Sequence, residues 1–192
     1  PPNLPRKEDA SCAAQIVVDG PDADSHNILY SVIHAINTSK KELLITTPYY
    51  IPDHSLQQAL VLAALSGLDV KLLVPKKGDS LLVSLAAQAY FGELLEAGVR
   101  IFQYTKGFIH AKTFVADRTL LSIGTANLDI RSFDLNFEVT ALLYDESKAI
   151  ELANIFHKDL EAAEEIDPLI WKQRSKWRQI VERVFRLFSP FL

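Results

Sequence analysis

The sequence predicts an α/β domain: a mixed, mostly parallel sheet of about seven strands, with helices on both faces. Three observations predict it. Runs rich in β-branched residues alternate with segments of helical period from about residue 13 to 166, the pattern of βα units. Short turns carrying Gly, Pro or Asp separate them. The 192 residues are 48% hydrophobic and 23% charged, which suits one globular core rather than a disordered chain.

The elements follow in order. Residues 1–12 hold three prolines, mixed charge and no period, and read as a linker. Residues 15–18 form a strand that stops at Asp19-Gly20-Pro21. Asp24 or Ser25 caps a helix to about Asn37, with Ile28, Val32, Ile33 and Ile36 at helical spacing. Residues 42–50 form a second strand, closed by Ile51-Pro52. Asp53 caps a helix that ends at Ser66-Gly67. Residues 70–75 form a third strand. Asp79 or Ser80 opens a long helix that Gly98 terminates, and residues 99–104 make a fourth strand. Residues 109–116 and 119–123 form a hairpin turning at Asp117-Arg118. Residues 137–144 add the last strand, and 146–165 an acidic helix. The domain is 13–166; residues 167–192 are a separate basic amphipathic segment.

Charge and composition exclude several classes. The longest uncharged stretches, 55–68 and 80–92, run 14 and 13 residues, too short to span a bilayer. A lone cysteine, Cys12, forms no intramolecular disulfide. Methionine is absent even from position 1, so the chain is expected to be part of something longer. Residues 171–192 hold six basic residues and one acidic, a charge of +5, which leaves −9 for the rest. Trp171, Trp177, Val181, Val184, Phe185, Phe188, Phe191 and Leu192 supply their apolar side. Two readings fit: an interfacial helix on anionic lipid, or a helix packed back on the domain with its basic face solvated.

The chemistry concentrates in His110-Ala-Lys112-Thr-Phe-Val-Ala-Asp117 and the following Gly124-Thr125-Ala-Asn127. Two apart on a strand, His110 and Lys112 leave the same face. A histidine beside a fixed cation, with an asparagine on the next loop, suits an anion, and the obvious one is a phosphodiester. Imidazole serves as nucleophile or general acid near neutral pH. Lysine and asparagine donate to the non-bridging oxygens, whose charge must be held in the transition state.

His110-x-Lys112-x4-Asp117-x6-Gly124-Thr125-x-Asn127 resembles the signature of the phospholipase D superfamily, and the flanking text is similar to the C-terminal half of bacterial cardiolipin synthases. Thr47-Pro-Tyr-Tyr-Ile-Pro52, Gly78-Asp79-Ser80-Leu-Leu-Val83, Gly107-Phe-Ile-His-Ala-Lys112, Gly124-Thr-Ala-Asn-Leu-Asp-Ile-Arg-Ser132, Leu135-Asn-Phe-Glu138 and Phe188-Ser-Pro-Phe-Leu192 carry the likeness. The resemblance implies a phospholipase D-like lobe and a ping-pong transesterification. Phosphatidylglycerol loses glycerol to form a phosphatidyl-histidine, and a second phosphatidylglycerol then gives cardiolipin. It implies no metal or organic cofactor, and a place at the bacterial inner membrane without a membrane-spanning segment in this chain.

By resemblance, His110, Lys112 and Asp117 are catalytic residues, with Asp117, at the hairpin turn, structural or orienting. Lys112, Asn127 and Thr125 are phosphate ligands, and Glu138 orients the histidine. Carboxylate–imidazole pairing fixes the tautomer and raises basicity. Tyr49 and His54, near the end of the second strand, are candidates to line the site, because α/β sheets bind ligands at strand C-termini. Lys76-Lys77 meets headgroups or is a solvated turn, and Arg131-Ser132 caps the loop after Asn127. His34 and His157 read as surface or packing residues.

The family builds its active site from two such motifs, and this sequence contains one. His26, His34, His54 and His157 have no lysine two residues on and no aspartate seven on. The partner is therefore a missing N-terminal lobe with the first motif, or a second copy of the chain, beside phosphatidylglycerol and an anionic membrane surface. Another phosphodiesterase of the superfamily (a phospholipase, a phosphatidylserine synthase or a dimeric nuclease) is an alternative, and so is a membrane-docking lobe inactive alone. A charge of −9 outside the tail argues against nucleic acid.

Overall fold

A computed structural model describes residues 12–187, which leaves the rest of the 1–12 lead-in and the closing residues 188–192 outside the described chain. In chain order the elements are β1 (Ala13–Asp19), α1 (Asn27–Thr38), β2 (Glu42–Thr46), β3 (Tyr50–Ile51), α2 (His54–Leu65), β4 (Asp69–Pro75), α3 (Leu81–Ala97) and β5 (Arg100–Tyr104). There follow β6 (Thr113–Ala116), β7 (Leu120–Gly124), β8 (Leu128–Asp129), α4 (Ile130–Asp134), β9 (Glu138–Tyr144), α5 (Glu146–Leu160), β10 (Ala163–Glu165), α6 (Pro168–Lys172) and α7 (Lys176–Arg186).

Eight strands form one sheet in the order β1-β9-β7-β6-β2-β4-β5-β10, and β3 pairs with β8 apart from it. The α/β class stands, with helices on both faces. Ten strands replace about seven, because β3, β8 and β10 are two or three residues long and too short to leave a period in the sequence. The sheet is mixed but not mostly parallel. Among the described residues, β2–β4 and β4–β5 are the parallel ladders of the eight-stranded sheet. The hairpin β6–β7, the returning β9 and the N-terminal β1 add antiparallel ladders on one side, and β10 adds one on the other.

Alternation along the strands divides the core. Leu43 and Ile45 of β2, Val70, Leu72 and Val74 of β4 and Ile101 of β5 join α1, α2 and α3 on one face. Leu44, Leu73, Phe102 and Val115 meet Ala149, Ala153 and Phe156 of α5 on the other. This is the period-two pattern of a sheet buried on both sides.

Local signals set most boundaries. Asp53 accepts hydrogen bonds from the Leu56 and Ser55 N–H groups and caps α2. Ser80 caps α3 through the Val83 N–H, and Gly98 ends it at φ 100°, a left-handed conformation that favours glycine. The cap of α1 is neither Asp24 nor Ser25. Buried Asp19, at the end of β1, accepts from the Asn27 N–H (2.9 Å) and the Ile28 N–H (2.6 Å). A capping oxygen from another element leaves no signal beside the helix.

Three spans shift. The strand expected at 42–50 breaks after Thr46. Thr47 Oγ1 donates to the Tyr49 carbonyl (2.8 Å), and Pro48 supplies no N–H, so the chain turns before β3. The strand expected from 109 begins at Thr113, preceded by an irregular approach. The helix expected to reach 165 stops at Leu160, and β10 pairs with β5. Arg100 donates twice to Glu165 (2.7 and 2.8 Å), and Lys76 donates to Glu164 (2.6 Å). The acidic run is therefore an edge strand matched to cations rather than a solvated helix.

The C-terminal segment packs back along α3. The Trp171 ring lies 5.7 Å from Phe91, and the Arg174 guanidinium stacks 3.3 Å over Trp171. Arg178 donates to Gln88 Oε1 (3.1 Å), and Phe185 is partly buried against the core. Trp177, Ile180, Val184 and Leu187 stay exposed in one row at three- and four-residue spacing.

The β6–β7 turn has positive φ at both central residues, Asp117 (52°) and Arg118 (56°), and is closed by the Thr119 N–H on the Ala116 carbonyl (3.0 Å), with Thr119 as a third loop residue before Leu120 pairs with Ala116. The Asp117 carboxylate accepts the N–H groups of Lys40 (2.8 Å), Lys41 (2.7 Å) and Glu42 (3.1 Å) and fixes the entry of β2. Hydrogen bonds to a charged acceptor are the strong kind. Asp117→Ala is expected to lower unfolding free energy by about 2 kcal/mol, read from urea titration. A loss within error of zero would show that the clamp is not needed.

Candidate active site

His110 and Lys112 stand on the approach to β6, at the end where β2 finishes. Thr46 of β2 pairs with Thr113 of β6, so the turn after β2 faces the segment before β6. The Lys112 Nζ donates to His110 Nε2 (2.9 Å) and to the His110 carbonyl (3.0 Å). An ammonium has no lone pair, so Nε2 is the acceptor here and the ring proton belongs on Nδ1. The two side chains share a side, although no strand ladder reaches His110.

Two more rings complete this wall. Phe108 lies 5.6 Å from the His110 ring at a 33° tilt, and Tyr49 meets His110 edge-on at 6.5 Å. Tyr49 and Phe108 are themselves 5.9 Å apart. The Tyr49 hydroxyl donates to Asp79 in the loop between β4 and α3. Burial first, then Asp79, pushes the phenol up to about 12. Phe108 and Asp79 are not among the site residues expected from the sequence, although both lie in segments that carry the family likeness. Phe108 had a signal, since it precedes His110 by two and Lys112 by four. Asp79 reads in the sequence as a candidate helix cap.

A polar shelf lies beside Lys112. Glu138, at the start of β9, accepts from the Thr125 hydroxyl and from Asn136 Nδ2 (3.1 Å). The Thr125 oxygen in turn accepts the Val139 N–H (3.0 Å). The Thr125 hydroxyl thus bridges Glu138 and the backbone of β9. Gly124 lets β7 and β9 close at this point: a Cβ there would collide with Thr140 Oγ1 and sit 2.7 Å from the Val139 carbonyl. Burial pushes the Lys112 ammonium below the usual lysine range, against the pull of the Glu138 and Asp129 carboxylates.

Asn127 turns inward. Its N–H donates to Ser132 Oγ (3.1 Å), and its side-chain amide bonds the Asp129 carboxylate. Asn127 Oδ1 is buried without a partner among the described residues. Ser132 thereby holds the loop after Asn127. Thr47 Oγ1 accepts the Leu128 N–H (3.3 Å), and Tyr50 pairs with Leu128, so the turn that carries Tyr49 is tied to the Asn127 loop.

Three other picks lie elsewhere. Asp117 is at the opposite end of β6 from Lys112, where its carboxylate is bound to the backbone N–H groups of Lys40, Lys41 and Glu42. His54 opens α2 and faces a cavity of about 550 Å³ shared with Gln58, Glu93, Trp171 and Lys172. It does not line the His110 wall, because the break after β2 sends Tyr49 to the site and turns His54 away. Lys76 is paired with Glu164 at the sheet edge.

The matching family model is described as "Cardiolipin synthase, PLD-like domain", and residues 32–160 fit it. The cardiolipin synthase of Listeria monocytogenes is 45% identical over 178 residues, which cover 93% of this chain and 37% of that protein. Cardiolipin synthase 2 of Bacillus anthracis is 47% identical over 178 residues, 93% of this chain and 35% of that one. The chain therefore spans little more than a third of these relatives. Among solved structures, phosphatidylserine synthase of Haemophilus influenzae superposes with a TM-score of 0.73 at 14% identity, covering 94% of this chain and 46% of that one. Nuc of Salmonella typhimurium, a phospholipase D family member, superposes with 0.69 at 18% identity, covering 81% and 98%. At these identities the superpositions establish a shared fold.

Asp129 tests the shelf. Burial pushes its carboxyl above the usual range, partly opposed by the Ser132 and Asn127 hydrogen bonds. Its folded pKa lies above its unfolded one, so the native state binds more protons. That stabilisation is present below the unfolded pKa and is lost as pH rises through the folded one. Asp129→Asn keeps an oxygen for the Ser132 N–H and removes the titration. Relative to the unsubstituted chain, its urea midpoint is expected to rise with pH across that window; a parallel pair of profiles would contradict this.

Proposed function

The chain belongs to the cardiolipin synthase family of phospholipase D-like domains, and on that premise we propose that it is one half of a two-motif phosphatidyltransferase site. The observation that carries the proposal is the Lys112 Nζ seated on His110 Nε2 at the open end of β6. A phosphodiester oxygen is a stronger acceptor for that ammonium than an imidazole. Its arrival draws Lys112 from Nε2 to a non-bridging oxygen and frees the ring for proton transfer.

The reaction is transfer between two phosphatidylglycerol molecules. A nucleophilic histidine of the complementary motif attacks phosphorus, and the P–O bond to glycerol breaks. Protonated at Nε2, His110 gives the leaving oxygen its proton. Neutral again, it takes the proton of the incoming hydroxyl of a second phosphatidylglycerol. That oxygen displaces the histidine, and cardiolipin leaves. Lys112 holds the phosphoryl charge. Glu138, kept in place by Thr125 and Asn136, adds a carboxylate field beside Lys112, and Asn127 orders the loop through Asp129. The complementary motif comes from another lobe or from a second copy of this chain.

Liposomes with headgroup-labelled phosphatidylglycerol test this, with mass followed by light scattering. The chain joined to its complementary lobe should make cardiolipin and glycerol. His110→Ala should cut turnover by at least about a thousandfold, within the range for loss of a general acid–base. A phosphatidyl-enzyme adduct should still form on the complementary motif. Loss of that adduct in His110→Ala would make His110 the nucleophile. Turnover by the isolated monomer would refute the half-site.

The surface of action is an anionic inner membrane. Exposed Trp177 (74%), Ile180, Val184 and Leu187 support this, on a helix that also carries Lys176 and Arg178. Flotation with phosphatidylglycerol vesicles should weaken in Trp177→Ala/Ile180→Ala by about tenfold, near 1.4 kcal/mol. Unchanged flotation would place the contact elsewhere.

A further inference from the structure

We infer that Tyr49 and Asp79 form a subsite for the hydroxyl groups of a glycerol headgroup whose phosphate lies at His110 and Lys112. The inference rests on the phosphate site proposed above and adds which residues receive the glycerol of its headgroup.

Asp79 is solvent-exposed and precedes α3, yet it does not cap the helix; Ser80 does. Its Oδ2 accepts the Tyr49 hydroxyl, and a carboxylate retains further lone pairs for a ligand. One tyrosine ring therefore separates this carboxylate from the His110 imidazole. The Tyr49 and His110 ring centroids are 6.5 Å apart, and Asp79 binds the tyrosine at its hydroxyl.

The loop that holds Asp79 is fixed before any ligand arrives. Ser84 Oγ donates to the Ser80 carbonyl (2.8 Å), and a Cβ on Gly78 would collide with Ser84 Oγ. The loop bends tightly over the first turn of α3 and aims Asp79 at Tyr49. The phenol, pushed up to about 12, stays protonated at any working pH. With its proton committed to Asp79, its oxygen is left to accept from a ligand hydroxyl.

A carboxylate beside an anion site costs affinity for any phosphate, so its presence selects. It repels a headgroup with a second negative charge. It accepts from a diol, whose hydroxyls are donors. Lys112 lies on the same wall, and its charge disfavours an ammonium headgroup. The rings of Tyr49 and Phe108 cover the carbon chain between. A neutral polyol is the headgroup that meets all four conditions.

Titration of the chain with glycerol 1-phosphate, ethyl phosphate and phosphocholine, read from the His110 ring proton shifts, tests this. The unsubstituted chain should prefer glycerol 1-phosphate over ethyl phosphate. Asp79→Asn should lower that ratio about tenfold while ethyl phosphate holds or tightens, since repulsion is removed. Tyr49→Phe should lower it less. The ethyl phosphate shift reports that each variant is folded around an intact phosphate site. A ratio near one in the unsubstituted chain, or one untouched by Asp79→Asn, overturns the subsite and leaves the phosphate site standing. A preference for phosphocholine that Asp79→Asn removes assigns the carboxylate to a cationic headgroup and overturns the polyol. No shift with any of the three removes the phosphate site, and the subsite with it.

Discussion

The sheet changes sense between β2 and β6, and the site depends on that junction. Parallel strands β2, β4 and β5 lie on one side, and the antiparallel run of β6, β7, β9 and β1 on the other. Because β6 runs against β2, the exit of one strand lies beside the entry of the other. The Thr46–Thr113 pairing sets Tyr49, three residues beyond Thr46, against His110, three residues before Thr113. At the far end of the same ladder the Asp117 N–H donates to the Glu42 carbonyl (3.0 Å), and the Asp117 carboxylate holds residues 40–42. A register slip of one residue would reverse every β6 side chain. Asp117 guards against it from the end opposite to the chemistry.

Electrostatics on the site side are a balance rather than a cluster of cations. Lys112 faces the Glu138 and Asp129 carboxylates, and burial works against its charge. Both carboxylates are held by hydrogen bonds: Glu138 by Thr125 and Asn136, Asp129 by Ser132 and Asn127. Fixed dipoles around fixed charges keep the cation in one place, which is the arrangement that stabilises developing charge at little reorganisation cost. In that setting Thr125 and Asn127 each bond a carboxylate, Glu138 and Asp129.

What could be read in advance was local. The Asp53 and Ser80 caps, the Gly98 stop and the Asp117-Arg118 hairpin each sit within a few residues of the element they shape. His110 and Lys112 were legible because two-residue spacing aligns side chains even where the strand ladder has not begun. What could not be read joins distant segments. Asp19 caps α1 from β1, β10 forms because Arg100 and Lys76 meet Glu165 and Glu164, and Asp79 reaches Tyr49 across thirty residues of sequence. The break after Thr46 has its cause in Thr47 and Pro48, both visible, but its consequence, Tyr49 in the site and His54 out of it, depends on where β6 enters.

The C-terminal segment resolves two descriptions that looked exclusive. It packs on the domain, through Trp171, Arg178 and Phe185, and it still leaves an apolar row in solvent. Its course explains how. Trp171 lies at Phe91 and Lys172 near Glu96, whereas Arg178 reaches Gln88. Thus α7 runs against α3, toward the end where α3 begins. Leu81 and Leu82 are exposed at that end, one turn after Asp79. A helix free to swing could present its row in any direction relative to His110. One held against α3 carries the row toward the loop that meets Tyr49, so the apolar surface and the reactive wall share an end of the molecule. The packing that removes the segment's freedom also gives its exposed face an address.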